Sequence, residues 1–288
     1  MSKPTLAVIE KALSADFRLE VIETKERGHA KEIATQALHE GVDMVVVFSG
    51  DGTINEVVNA LAGSETALGV LPGGATNILV RALGLPTDPV EATGVLIGKA
   101  LDDGAFRLHL GRADGRYFAV NCGAGVDAAA MQRMDAKFPK TKAKFDRVAF
   151  RSVAWELMVG YAGRAPDLEV TIDDRPAMTE SEGMVGRTDP YTYYKERGLR
   201  MTPQASLDSG LDVLSIRKLA RRSVPRIAWQ IFGSARHVHG RDIDYVHNAS
   251  KVVVASSQPF PVQVDGDSLG GQQRLEIELA REALWVVA

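Results

Sequence analysis

Residues 44–48, Met-Val-Val-Val-Phe, form an unbroken apolar run with polar flanks. That pattern predicts a strand covered on both faces of a parallel sheet. Beyond the turn Ser49-Gly50-Asp51-Gly52-Thr53, Ile54, Val57, Val58 and Leu61 fall at i, i+3, i+4 and i+7, the stripe of an amphipathic helix. Thr53 with Glu56 three residues later forms a capping box, which sets the expected helix start at Thr53. The unit then repeats. Residues 68–71 are a second apolar run, Pro72-Gly73-Gly74-Ala75-Thr76-Asn77 a second glycine turn, and Leu79, Ala82 and Leu83 one face of a second helix. Gly84 and Pro86 supply its stop signal. Upstream, Leu6, Ile9 and Leu13 predict a helix over residues 4–13. Phe17, Leu19 and Val21 alternate with polar residues and predict a strand ending near Thr24. Ala30, Ile33, Ala34, Ala37 and Leu38 predict a helix closed by Gly41. Helices alternating with strands imply parallel strands joined by crossovers. A last helix over residues 88–101 opens on Asp88-Pro89 as cap and first turn.

After residue 103 the period shortens. Phe106, Leu108 and Leu110 alternate, Asp114-Gly115 is a hairpin turn, and residues 117–120 return. Leu168, Val170 and Ile172 alternate before Asp173-Asp174, and further strand-like runs lie at 213–216, 252–255, 262–264 and 275–279. Helical patterns interrupt them at 128–134 and 145–161. Short strands with turn chemistry between them predict a β-rich second domain. The expected division is therefore 1–103, an α/β domain with a Rossmann-like parallel sheet, and 104–288, a β-rich second domain.

Composition narrows the function classes only a little. A formal net charge of −3 over 288 residues argues against a general nucleic-acid binder. The single cysteine, Cys122, allows no intramolecular disulfide, so the cytoplasm is the natural compartment. No apolar stretch reaches transmembrane length and the N-terminus lacks a signal-peptide pattern.

The chemistry lies in the two glycine turns. Each places free backbone N–H groups at the positive end of a helix, where phosphate is stabilised. Two such turns on one carboxyl edge of a sheet make a nucleoside triphosphate the leading ligand. A glycine turn between strand and helix is also common for structural reasons alone.

Ser49-Gly50-Asp51-Gly52-Thr53-Ile54-Asn55-Glu56-Val57-Val58-Asn59-Ala60-Leu61 resembles the GGDGT-x-NE-V-x-N-x-L signature of the diacylglycerol kinase catalytic-domain family, which includes bacterial lipid kinases and sphingosine kinases. Leu71-Pro72-Gly73-Gly74-Ala75-Thr76-Asn77, with Arg81-Ala82-Leu83-Gly84-Leu85-Pro86, is similar to its second motif, P-x-GT-x-N followed by ARxLGLP. The resemblance implies an ATP-dependent, magnesium-using lipid kinase with a C-terminal β-sandwich. It implies nucleotide contacts from Thr24, Gly50, Asp51, Gly52, Thr53, Asn55, Glu56, Gly73, Gly74, Thr76 and Asn77. The family normally opens with one more strand and an NPxSG loop, which this sequence lacks ahead of its first helix. Ser49, Ala75 and Ile78 also depart from the pattern.

Two segments of the second half extend the resemblance. Gln263-Val264-Asp265-Gly266-Asp267 looks like the family's V-DGE motif, whose last carboxylate is the general base; Asp267 holds that place one methylene shorter. Read without the family, Asp265-Gly266 is a hairpin turn. Ala205-Ser206-Leu207-Asp208-Ser209-Gly210-Leu211-Asp212-Val213 resembles the A-x-LDDGLLDV segment, where an aspartate before the glycine and flanking main-chain oxygens hold a structural magnesium. The expected set here is Asp208, Ser209 and Leu211, with Ser209 at the aspartate position and Asp212 a substitute; a solvated turn without metal is the alternative. His109 stands where relatives often carry an acid. Residues 217–241 interleave Arg217, Lys218, Arg221, Arg222, Arg226, Arg236 and Arg241 with Leu219, Val224, Ile227, Trp229, Ile231 and Phe232. Such a segment either lies on an anionic bilayer or packs its apolar face on the domain.

The expected activity is transfer of the γ-phosphate of ATP to a hydroxyl of diacylglycerol or a related lipid. Asp51 would act at the phosphates and Asp267 as base, in the cytoplasm with transient membrane contact. A homodimer stays open. An NAD kinase, which shares GGDGT, and a non-catalytic nucleotide- or lipid-binding protein are the alternatives.

Overall fold

The computed structural model describes residues 3–137, 167–194, 197–218, 220 and 222–288. The chain separates into two compact units, Met1–Leu110 with Ala280–Ala288, and Gly111–Leu279. A linear reading divides the chain once near residue 103; the folded chain instead returns its last nine residues to the first unit.

The first unit runs α1 (Lys3–Asp16), α2 (His29–Glu40), β1 (Met44–Ser49), α3 (Asp51–Leu61), β2 (Ala67–Pro72), α4 (Ile78–Ala82) and α5 (Pro89–Leu101). β1 and β2 are parallel, in register from Met44 opposite Ala67 to Ser49 opposite Pro72. The other edge of β2 takes the C-terminal end of the last strand, through Val286–Leu68 and Val287–Gly69. Val287 accordingly joins Leu71, Ala92, Leu96, Ile9 and Leu13 in one core cluster. Asp88 caps α5 by accepting from Val90 N and Glu91 N, and Gly41 ends α2 in the left-handed conformation.

Two expectations for this unit are corrected. The strand predicted to end near Thr24 does not form: residues 17–28 are irregular, and among the described residues β1 pairs with β2 alone. Phe17 and Leu19 are used for docking onto the core instead, while Val21 and Ile22 stay half exposed. The second correction is at α3, which starts at Asp51 with Gly50 as N-cap and no side-chain cap. The Thr53–Glu56 box is not used. The Glu56 carboxylate accepts from Gly28 N at 2.9 Å and Ala30 N at 3.2 Å, so it caps α2. Gly28 opens α2 with φ 91° and no side chain to do this itself.

The second unit is β-rich. Its elements are β3 (Ala105–Ala113, which starts in the first unit), β4 (Arg116–Phe118), β5 (Asn121–Ala124), α6 (Val126–Lys137), β6 (Leu168–Ile172), β7 (Met178–Glu180), β8 (Glu182–Gly186), β9 (Thr192–Tyr194), β10 (Arg197–Leu199), β11 (Leu211–Ile216), α7 (Val224–Phe232), β12 (Ile243–Ala249), β13 (Lys251–Val264) and β14 (Asp267–Val287). The strand order β14-β13-β5-β8-β11-β12 carries antiparallel pairings, and β3 and β4 meet through the predicted Asp114-Gly115 turn. The runs at 252–255 and 262–264 belong to one strand, β13, and the run at 275–279 is part of the 21-residue β14. β8 and β12 escape the apolar pattern because Glu182-Gly-Met-Val-Gly has no alternation and β12 carries Asp244, His247 and Asn248. The helix expected near 145–161 lies outside the described residues.

Glu180, at the end of β7, is fully buried, and burial beside Asp244 pushes its pKa from 4.5 to about 7 despite Arg217. A carboxyl that holds its proton more tightly folded than unfolded stabilises the fold below its unfolded pKa. That contribution is lost as pH rises through the folded value. Stability is therefore expected to fall between pH 4.5 and about 7 and then level off. Urea unfolding of Glu180→Gln across that range checks the assignment: the slope should flatten, and an unchanged slope would assign it to other groups.

Candidate active site

The glycine turns after β1 and β2 touch backbone to backbone. Gly73 N donates to Ser49 O at 3.0 Å. A Cβ built on Gly74 would stand 2.6 Å from Gly50 Cα, and one on Gly73 would stand 2.8 Å from Ser49 Cα. Glycine at 73 and 74 is therefore dictated by the fold itself. Side chains then lock the contact. Asp51, the first residue of α3, accepts from Thr76 Oγ1 at 2.8 Å and from Leu79 N at 3.2 Å, so it also caps α4. Burial pushes its carboxyl up, against the lowering effect of the Thr76 hydroxyl and the Leu79 and Ile78 amides. Asn77, left-handed at φ 46°, closes the second turn on itself by accepting from Gly74 N and donating to Gly74 O.

Gly52 is different. It is exposed, and a Cβ there would meet no atom within 4 Å. Nothing in the protein requires glycine at this first turn of α3, where alanine is intrinsically better. With no side chain capping α3, the combination fits an anion lying against the backbone at Gly52. Thr53 Oγ1 accepts from Ser49 Oγ at 2.9 Å. The two turns thus bring together Gly50, Asp51, Gly52, Thr53, Gly73, Gly74, Thr76 and Asn77. Asn55 is buried within α3, where its carbonyl and Oδ1 accept from Asn59, and Glu56 faces α2. Thr24 is exposed in the irregular 17–28 segment, and no hydrogen bond of the two turns reaches it.

The second unit holds the acidic turn. Asp265 at φ 47° and Gly266 at φ 81° connect β13 to β14, so the hairpin reading is correct locally. The turn is also anchored far beyond what a hairpin needs. The Asp265 carboxylate accepts from Ala119 N, Val120 N and Asn121 N at 2.8–3.0 Å. Gly266 N donates to Gln263 Oε1, and Gln263 Nε2 donates to Asn121 Oδ1 and to Asp127 Oδ2. Asp127 and Glu182 form a buried acid pair with Tyr191 hydrogen-bonded to Asp127. Burial pushes both carboxyls up, Glu182 further, because it also lies against the Asp127 charge. Val126 N donates to Glu182. This support was missed in the sequence, where its one signal is an acid, Asp127, two residues after the glycine-rich Gly123-Ala124-Gly125. Asp267 is ion-paired with Arg116, the first residue of β4, at 2.5 Å.

The expected magnesium ligands do not fit a metal. Ser209 Oγ donates to Ser206 O, Asp208 is exposed, and Leu211 is engaged in β11. Asp212 accepts from Tyr245, His247 and Asn248. Among the described residues no group of three or more His, Cys, Asp or Glu side chains is arranged to hold an ion. In the basic segment, Val224 and Ile227 of α7 are buried against Val126, Leu214, Ile216 and Ile243, so the apolar face is core. Trp229 is not; it is 81% exposed. Arg222, two residues ahead of α7, and Arg226 within it are also exposed, whereas Arg217 is paired with Asp244. Leu219 and Arg221 lie outside the described residues. No described helix is long and apolar enough to cross a membrane.

Residues 2–105 match the family model described as the diacylglycerol kinase catalytic domain. Residues 120–288 match the YegS C-terminal NAD kinase beta sandwich-like domain. The chain is 27% identical over 270 residues to a diacylglycerol kinase of Staphylococcus carnosus (strain TM300), covering 92% of this chain and 83% of the relative. It is 27% identical over 269 residues to a diacylglycerol kinase of Bacillus subtilis (strain 168), covering 90% and 82%. A solved structure of a diacylglycerol kinase from Bacillus anthracis str. Sterne superposes with a TM-score of 0.70 at 22% identity, covering 99% of this chain and 90% of that one, and supports the fold.

The glycine geometry separates two substitutions that look alike on paper. Gly74→Ala is expected to cost about 1–3 kcal/mol, because backbone must move to admit the methyl group. Gly52→Ala should leave stability unchanged or raise it by up to about 1 kcal/mol. Thermal unfolding of both variants decides, and equal losses would contradict the loop-on-loop packing.

Proposed function

This chain belongs to the diacylglycerol kinase catalytic-domain family, and on that premise we propose that it transfers the γ-phosphate of ATP to a hydroxyl of diacylglycerol or a related lipid. The observation that carries the reading is the locked pair of glycine turns beside the uncapped start of α3, with Gly52 open where the fold does not need glycine. Gly50, Gly52, Thr53, Gly73 and Gly74 would line the phosphates. Asp51, Thr76 and Asn77 would hold the two turns in register, Asn55 would brace α3 from within, and Glu56 would hold the start of α2 against it. Thr24 would contact the outer part of the nucleotide.

Phosphoryl transfer requires positioning and charge neutralisation more than covalent chemistry. Magnesium carried in with ATP would neutralise phosphate charge near Asp51. Asp267, fixed by Arg116 on a turn anchored through Asp265, would take the proton of the lipid hydroxyl. The hydroxyl oxygen would bond to the γ-phosphorus as the bond from phosphorus to the ADP oxygen breaks. No resident metal is assigned to 208–211.

Trp229, Arg222 and Arg226 would rest on an anionic bilayer. An exposed indole among cations suits the interface, and its removal takes nothing from the core.

Two measurements check the reading. The first incubates wild type and Asp267→Asn with γ-labelled Mg-ATP, a lipid panel in anionic vesicles, and NAD as a soluble control. Wild type should label an organic-soluble product, and Asp267→Asn should lose 100-fold or more of the rate, on the order expected for a general base, while still binding ATP. Label in NADP would reassign the chain to a soluble kinase, and ATP binding without transfer would make it a binding protein. The second is flotation with anionic vesicles: Trp229→Ala should weaken binding about tenfold with an unchanged melting temperature. Unchanged flotation would move the membrane contact elsewhere.

A further inference from the structure

The segment around residues 206–210 folds around a cation that the chain itself provides. The carbonyls of Leu207, Ser209 and Gly210 converge on the guanidinium of Arg187. Nη1 donates to Ser209 O and to Gly210 O at 2.7 Å, and Nη2 donates to Leu207 O at 2.7 Å. Arg187 directly follows β8, whose Gly186 stands opposite Asp212 of β11, so the neighbouring strand delivers the guanidinium to the base of the loop. The side chain is 0% exposed and is the bulkiest fully buried one among the described residues. On the far side the loop is closed by Gly210 N donating to Asn248 Oδ1.

Converging carbonyls create a negative region that a buried cation must answer. Divalent metals answer it with a compact charge and need hard oxygens from side chains as well. Arginine answers it with several donors in a rigid plane, and no carboxylate is then required. The substitutions at the segment follow this logic: where a metal would call for an aspartate before Gly210 the chain has Ser209, whose hydroxyl is spent on Ser206 O. Asp212 remains near enough to offset the burial of the guanidinium, which lowers its pKa only to about 10 and leaves it charged at neutral pH.

We propose that Arg187 is an internal replacement for a structural metal ion, and that the loop at 206–210 is consequently metal-independent. The site admits one cation or the other. With Arg187 in place the carbonyls are taken; with Arg187 removed and an aspartate restored at 209, the same carbonyls should accept magnesium or calcium.

Thermal unfolding of the full nucleotide-free chain, in excess MgCl2 and in EDTA, tests this with a readout independent of activity. Wild type and Ser209→Asp should each melt at the same temperature in both buffers. Arg187→Met should melt roughly 5 °C lower or more, equally in both. The double variant Arg187→Ala/Ser209→Asp should melt higher in magnesium than in EDTA. A wild-type melting temperature that falls in EDTA would overturn the proposal. So would a magnesium response in Ser209→Asp equal to that of the double variant, or none in a folded double variant. Should the double variant fail to fold, the wild-type comparison and the metal content of the purified wild-type chain decide: stoichiometric bound metal overturns the proposal and its absence upholds it.

Discussion

The backbone contact between Gly50 and Gly74 is the constraint on which the first unit's candidate site depends. Two parallel strands can end in glycine turns without those turns meeting. Here they meet so closely that a single methyl group at residue 74 has no room. Once the turns touch, Asp51 can reach from the first residue of α3 to the start of α4, and Thr76 can reach back. One carboxylate thus fixes two helix starts and the spacing of the loops between them. Glu56 repeats the device one turn further along α3, where it caps α2. Three helices are oriented through two acids, and Gly52 is left open beside them.

Acids and bases in the second unit are used in the same way, as internal fasteners. Asp265 gathers three amides, and Gln263 and Asn121 carry that order to Asp127, whose carboxyl burial raises together with that of its neighbour Glu182. Arg187 does for the 206–210 loop what Asp265 does for the acidic turn, with the charge reversed. An account of Asp267 as a base rests on this rigidity, because transfer needs the carboxylate held in line more than it needs an unusual environment.

Much of the fold was legible from residue patterns. The runs at 44–48 and 68–71, the stops at Gly41 and Gly84, the Asp88 cap and the Asp114-Gly115 turn each rest on local physics that tertiary structure leaves alone. Phe17, Leu19 and Val21 misled because alternation reports which side chains lean on a core, and two of them are partly buried by docking without any ladder partner. The Thr53–Glu56 box misled because Glu56 had a better use 28 residues away, which no local rule can see. The glycines at 73 and 74 stand out in the sequence as expected nucleotide contacts, and the demand that the Ser49 and Gly50 backbone also places on them could not be seen there; at Gly52 the fold makes no such demand. Arg187 was invisible because a lone arginine after a strand has no motif, and its meaning comes from three carbonyls 20 to 23 residues further on.

Selective 15N-glycine labelling offers the most direct test of the central claim, since the chain has 27 glycines and the resulting amide spectrum is sparse enough to follow one by one. On titration with Mg-ATP, the amides of Gly50, Gly52, Gly73 and Gly74 should shift together and saturate at one equivalent, with Gly52 moving most. Saturable shifts confined to glycines outside the two turns would place the nucleotide elsewhere and contradict the account.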